Sequence, residues 1–195
     1  MQYHHIDYAK TRAFCIKAFQ GYGFTQKEST QITDVLLDAD LSGIESHGVQ
    51  RMIRYHKEIT EGMAKIDAKP QIVKQTPLSA TIEGNDAMGQ VLSVKAMEMA
   101  IDKAKQHGIG MVTVRNSNHY GIAGFYTRMA AQQGLIGICM TNSEAIMVPP
   151  SAKRPCWEPI PSPSPCPHPP SPLPLTPPPL LCPGASWKSM PSATV

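Results

Sequence analysis

An α/β (α+β) domain, with helices first and strands then alternating with helices, is the fold class that the sequence predicts. Three observations carry it. Apolar positions recur at helical spacing over residues 7–62, short apolar or β-branched runs begin only at residue 71, and further helical stretches separate those runs. At 195 residues the chain can bury one real core.

The elements follow in order. Over residues 7–20, Tyr8, Phe14, Cys15, Ala18 and Phe19 fall at helical spacing, and the "GYG" after them ends the helix. Thr25 and Glu28 have capping-box spacing for a second helix running toward Leu41. A third helix is expected over residues 47–62, closed by Gly62. "QIVKQT" and "ATIEG" read as short strands. Residues 89–107 form a long helix. Val91, Val94, Met97, Ile101 and Ala104 line its buried face, with Lys95, Glu98 and Asp102 on the other side. "GIGMVTVRN" reads as a buried strand, "AGFYTRMAAQQG" as a helix and "LIGICMTN" as a second buried strand. Both of these strands are apolar at nearly every position, so they need cover on two faces. No internal repeat is visible.

Composition breaks sharply near Pro150. Residues 1–150 hold four prolines, whereas residues 151–195 hold fifteen and both tryptophans. Proline removes backbone donors and fixes φ, so this tail cannot form helix or central strand. Residues 1–150 are therefore read as the globular part and 151–195 as a disordered or polyproline II tail, one that engages an SH3 or WW groove or has no partner at all. The net charge of +3 comes without a long Lys/Arg run, which argues against nucleic acid and against a polybasic membrane anchor. No stretch is apolar for the length of a membrane span, and the N-terminus has no secretory pattern. Five cysteines without metal spacing suggest free thiols in a reducing compartment. A cytoplasmic protein without a metal site is the expectation.

Three stretches could carry chemistry. "VRNSNHYGIAG" places Asn116, Ser117, Asn118, His119 and Tyr120 where a strand opens into a helix, the usual place for a site in α/β folds. A polar turn that caps the next helix would look the same. "CMTNSEA" repeats the arrangement at Thr141, Asn142 and Ser143. In "GIESHGVQR", His47 and Arg51 are four apart and would share one helix face, either as solvated surface or as a grip for an anion. Gly84 and Gly89 in "GNDAMGQ" are not a P-loop, because Lys-Ser/Thr does not follow, and no G-x-G-x-x-G follows a strand. The "HH" at residues 4–5 reads as a solvated terminus.

"DADLSGIESHGVQR", "GNDAMGQ", "VRNSNHYGIAGFY" and "GLIGICMTNSEAIMVPP" together resemble the malate/L-lactate dehydrogenase family that is distinct from the Rossmann-type lactate dehydrogenases. That family includes ureidoglycolate and sulfolactate dehydrogenases and the diketogulonate and cyclic-imine carboxylate reductases. The resemblance runs through residues 1–150 in family order and covers only the N-terminal part of a typical member. It implies a truncated form of the family's non-Rossmann NAD(P)-dependent fold. It also implies hydride exchange between NAD or NADP and the carbon next to a carboxylate in a 2-hydroxy acid, 2-oxo acid or related imine, and a homodimer when intact. By position in the family motifs, Arg51, His47 and Ser46 bind substrate, and Ser143, with Asn142 beside it, contacts the cofactor. His119 is favoured as acid/base, although some members are read with the first histidine, here His47, as donor. A competing reading is a non-catalytic product whose proline tail binds a partner or nothing.

The tail has a further reading. Taking the third base of each codon with the first two of the next, the text from Pro150 to Pro167 can spell F-G-K-T-A-M-L-G-T-N-P-I-A-F-A-M-P, and that from Pro174 to Pro191 can spell F-D-A-A-T-T-V-V-P-R-G-K-L-E-V-Y-A. Trp157–Glu158 must give Gly and Met190–Pro191 must give Ala, whatever the synonymous bases. Both strings resemble the family's continuation. Residues 151–195 are thus expected to be family sequence read one base out of frame, and the chain to be inactive without its in-frame partner.

Overall fold

The structure is a computed structural model and describes residues 6–142. The proline-rich stretch 151–195 and Ser143 lie outside the described residues. Among the described residues, 6–139 form one compact unit, and Met140 begins a second.

Helix α1 spans Tyr8–Tyr22, opened by the Asp7 side chain accepting from the Lys10 amide and closed by Gly23 in the left-handed region at φ 109°. Helix α2 spans Gln26–Leu41 and begins with the expected capping box. The Thr25 side chain accepts from the Glu28 amide, and the Glu28 carboxylate accepts from the Thr25 amide. The third helix differs from expectation. Two single 3₁₀ turns, Glu45–His47 and Val49–Arg51, precede a shorter α3 at Met52–Thr60. The cause is Gly48. An added Cβ there would sit 1.6 Å from one carboxylate oxygen of Asp40, whose other oxygen accepts from the Val49 amide at 2.8 Å. The loop is tied to the end of α2, and a regular helix cannot pass through that tie. His47 and Arg51 therefore lie on successive tight turns rather than on one α-helix face.

Strand β1 (Gln71–Gln75) runs antiparallel to β2 (Ser79–Glu83), and β3 (Met111–Arg115) runs parallel to β2, giving the order β1-β2-β3. Helix α4 (Gly89–His107) makes the β2-to-β3 crossover and matches the expected limits. Ile82 from β2 packs with Leu92 and Ala96 from α4, and Val112 and Val114 of β3 close the same cluster. Helix α5 spans Ala123–Ala131 and packs Tyr126 against Val35 and Val94. A separate cluster of Phe19, Phe24, Ile32, Leu36, Tyr55 and Met88 joins α1, α2 and α3 to the start of α4.

Two expectations fail. β3 is not buried on both faces, since Met111, Thr113 and Arg115 are exposed. Residues 135–142 form no strand, and Ile136 is 95% exposed, with Ile138 and Met140 also open. Among the described residues β3 is an edge strand, and residues 135–142 do not pair with it. Residues 135–139 lie against α5 instead, where a Cβ on Gly137 would come 2.6 Å from the Thr127 carbonyl oxygen. Such an apolar edge favours self-association. The full chain should form concentration-dependent oligomers by light scattering, and Ile136→Lys with Ile138→Lys should reduce them without changing helix content by circular dichroism. A compact, cooperatively melting monomer before any substitution would contradict this.

Candidate active site

The strands β2 and β3 end side by side, and the loops that leave them build the site. Glu83 at the end of β2 accepts from Arg115 Nε at 2.6 Å and from Asn116 Nδ2 at 2.8 Å, which fixes the two strand ends together. Asn85, Asp86 and Asn116 then turn the chain with positive φ, the residue types that best tolerate that region. Asn118 locks the two loops, since its Nδ2 donates to the carbonyls of Asp86 at 2.7 Å and of Ala87 and Met63 at 3.2 Å. Gly89 completes the lock. A Cβ there would lie 2.2 Å from the Asn118 carbonyl oxygen and 2.5 Å from that of His119. The backbone carrying His119 is thus pressed onto the start of α4.

His119 meets three partners. Its ring stacks on His47 with centroids 5.4 Å apart and planes 29° from parallel. Its Nδ1 lies 2.8 Å from the Tyr55 hydroxyl, and the Gly121 amide donates to the same nitrogen at 3.4 Å. Tyr55 is wholly buried and also accepts from Gln90 Nε2 at 2.7 Å. On the other side Ser46 Oγ lies 2.9 Å from His47 Nδ1, and the Ser46 carbonyl accepts from Arg51 Nε at 2.5 Å. Ser46 thus orients both residues.

Both histidines are shifted in one direction. Burial chiefly, then Arg54, His47 and Arg51, push His119 down to about 4. Burial, Arg51 and Arg54 also lower His47. Both rings are neutral at pH 7 beside fixed guanidinium charge, an arrangement that favours an anionic ligand and offers imidazole nitrogens to it. Arg54 is held by Glu58 at 2.5 Å, and Glu58 leaves its second oxygen buried without a partner among the described residues.

Of the residues expected from sequence, His47, Ser46, Arg51 and His119 come together. Asn142 is exposed in the second unit, and Ser143 lies outside the described residues. The glycines of "GNDAMGQ" are used by the protein's own backbone, because a Cβ on Gly84 would come 2.5 Å from the Asn116 carbonyl oxygen. Gly84 and Gly89 are thus taken up by close backbone packing. No group of three or more His, Cys, Asp or Glu side chains gathers as for a metal among the described residues, nor is any helix there long and apolar enough to cross a membrane. Tyr55, Gln90, Asp40 and Arg54, which join this cluster in the structure, were not legible from the sequence. Tyr55 had one signal, its spacing four residues after Arg51.

Two outcomes test this geometry. Gly48→Ala should cost about 1–3 kcal/mol in urea unfolding, because the Asp40 carboxylate must give way; an unchanged midpoint would contradict the tie. Unfolded histidine takes up a proton near 6.5, whereas folded His119 waits until about 4. Between those values the unfolded state binds more protons, so His119 contributes a loss of stability as pH falls from about 6.5 to about 4. His119→Asn should flatten that part of the melting-temperature profile, and an identical slope would contradict the shift.

The profile of the malate/L-lactate dehydrogenase family matches residues 6–168. The malate dehydrogenase of Pyrococcus abyssi is 45% identical over 137 residues, which is 70% of this chain and 38% of that protein. The L-sulfolactate dehydrogenase of Methanocaldococcus jannaschii is 43% identical over 136 residues, 69% of this chain and 39% of that protein. The solved malate dehydrogenase of Pyrococcus horikoshii superposes with a TM-score of 0.64 at 38% identity, covering 68% of this chain and 40% of that one. The chain spans less than half the length of these relatives, and it belongs to the malate/L-lactate dehydrogenase family.

Proposed function

We propose that the protein, in its whole form, exchanges a hydride between NAD or NADP and the carbon beside the carboxylate of a small 2-hydroxy or 2-oxo acid. The observation that carries this reading is the stack of two neutral histidines, His47 on His119, beside Arg51. Arg51 spends its Nε on the Ser46 carbonyl, so the donors on its terminal nitrogens are the ones a carboxylate would take bidentately. His47, oriented by Ser46, binds the substrate alongside it. His119 is the acid/base at the substrate oxygen, because the Tyr55 contact and the stack on His47 hold its ring in one place. A nicotinamide cofactor supplies the hydride when bound. Asn142 and Ser143 are the positions we assign to it by family motif. The names of the relatives, malate and sulfolactate dehydrogenases, favour a small hydroxy acid as substrate. A cytoplasmic homodimer is the form we propose for the intact enzyme.

Residues 151–195 are read here as family sequence one base out of frame. The composition break at Pro150 supports this, as do the fixed products of the shift: Trp157–Glu158 must give Gly, Trp187–Lys188 must give Glu and Met190–Pro191 must give Ala. The chain as it stands is then inactive. The test is to assay it beside a version with one base restored near codon 150, using malate, sulfolactate and lactate with either nicotinamide cofactor. We expect turnover only from the restored version. In that version His119→Ala should lower kcat by roughly 10² or more, and Arg51→Ala should chiefly raise KM. A restored version with no turnover on any acid would contradict the proposal. Normal turnover after His119→Ala would move the donor role to His47.

A further inference from the structure

We propose that Gln90 is a positioning residue which, through the Tyr55 hydroxyl, decides which ring nitrogen of His119 carries the proton. Gln90 stands in the first turn of α4 and is wholly buried, as is Tyr55 on α3. Its Nε2 donates to the Tyr55 oxygen at 2.7 Å. The hydroxyl accepts there, so its own hydrogen goes elsewhere, and His119 Nδ1 is 2.8 Å away. The Gly121 amide points at the same Nδ1 at 3.4 Å, and a backbone amide has no second orientation. A nitrogen that receives two donors holds no hydrogen of its own. The neutral ring therefore carries its proton on Nε2.

The other end of Gln90 gives the arrangement a second state. Its Oε1 is buried and has no hydrogen-bond partner among the described residues, a costly condition for a carbonyl. A half-turn of the amide puts Oε1 where Nε2 now meets Tyr55. Tyr55 then donates to Gln90 and accepts from Nδ1–H, and Nε2 of the neutral ring is bare. Burial first, then the Arg54 and Arg51 guanidinium groups and the neighbouring His47, disfavour a second proton on the ring, so the choice is between two neutral forms. One form offers N–H to a carbonyl oxygen, as in a 2-oxo acid. The other offers a lone pair to a hydroxyl, as in a 2-hydroxy acid. This last consequence rests on the function proposed above; the placement of the proton does not.

The test is ring-nitrogen NMR on the full 195-residue chain labelled at histidine, at pH 7.5, with His119 assigned by its loss in His119→Asn. We expect an unprotonated resonance on Nδ1 and a protonated one on Nε2. Gln90→Met removes the donor behind Tyr55, and the ratio of Nε2–H to Nδ1–H should fall about fivefold or more, the worth of one hydrogen bond. In a Tyr55→Phe background the same substitution should leave the ratio unchanged, because the link is gone. If Gln90→Met does not fold, Tyr55→Phe alone must still lower the ratio. A protonated Nδ1 in the unsubstituted chain, a ratio unmoved by Gln90→Met, or an equal shift with and without the Tyr55 hydroxyl would each overturn the proposal. If the ratios behave as expected while the frame-restored protein turns over no acid, the functional reading alone fails.

Discussion

The hydroxyl of Tyr55 is the point on which the site depends. The Tyr55 ring belongs to the cluster formed by Phe19, Phe24, Ile32, Leu36 and Met88, so it is placed by the packing of the first three helices on the start of α4. A phenol that deep must find partners for its oxygen and its hydrogen. It finds them on two other segments, Gln90 of α4 and His119 of the loop after β3. One buried group thereby joins the hydrophobic core to the imidazole of His119. The loop could not reach it without Gly89, which lets the backbone of Asn118 and His119 lie against α4.

Electrostatics follow from the same burial. Two imidazoles are packed ring on ring beside Arg51 and Arg54, and both are driven toward the neutral form. The arginines cannot deprotonate, so the histidines give way. A bound carboxylate would offset the guanidinium charge and raise both rings again. Anion binding and histidine protonation are therefore linked in this arrangement. On the far side of the loop the Asp40 carboxylate holds the Val49 amide and so sets where Ser46, His47 and Arg51 stand.

Local signals were the most legible in the sequence. Thr25 and Glu28 marked the start of α2, and Gly89 to His107 marked α4 end to end, because capping and periodicity are short-range properties. Failures came where a distant contact decides. Residues 47–51 have helical spacing, yet Asp40 of α2 turns them into 3₁₀ segments. Residues 135–142 have strand composition, yet residues 135–139 pack along α5 and leave the open edge of β3 unpaired among the described residues. His47, Ser46, Arg51 and His119 were legible as candidates through family motifs, and the fold brings them together. Gln90 was not, because a polar side chain next to a glycine reads as a solvated helix start, and only the fold shows it to be wholly buried.

If the Tyr55 hydroxyl is what couples the core to the imidazole, its energy must be shared with His119. The most direct measurement is a double-mutant cycle in urea unfolding with Tyr55→Phe, His119→Asn and the pair. The account predicts that the two losses are not additive and that the coupling is about 1 kcal/mol, as for a buried hydrogen bond removed from both ends. Losses that add within about 0.3 kcal/mol would contradict it.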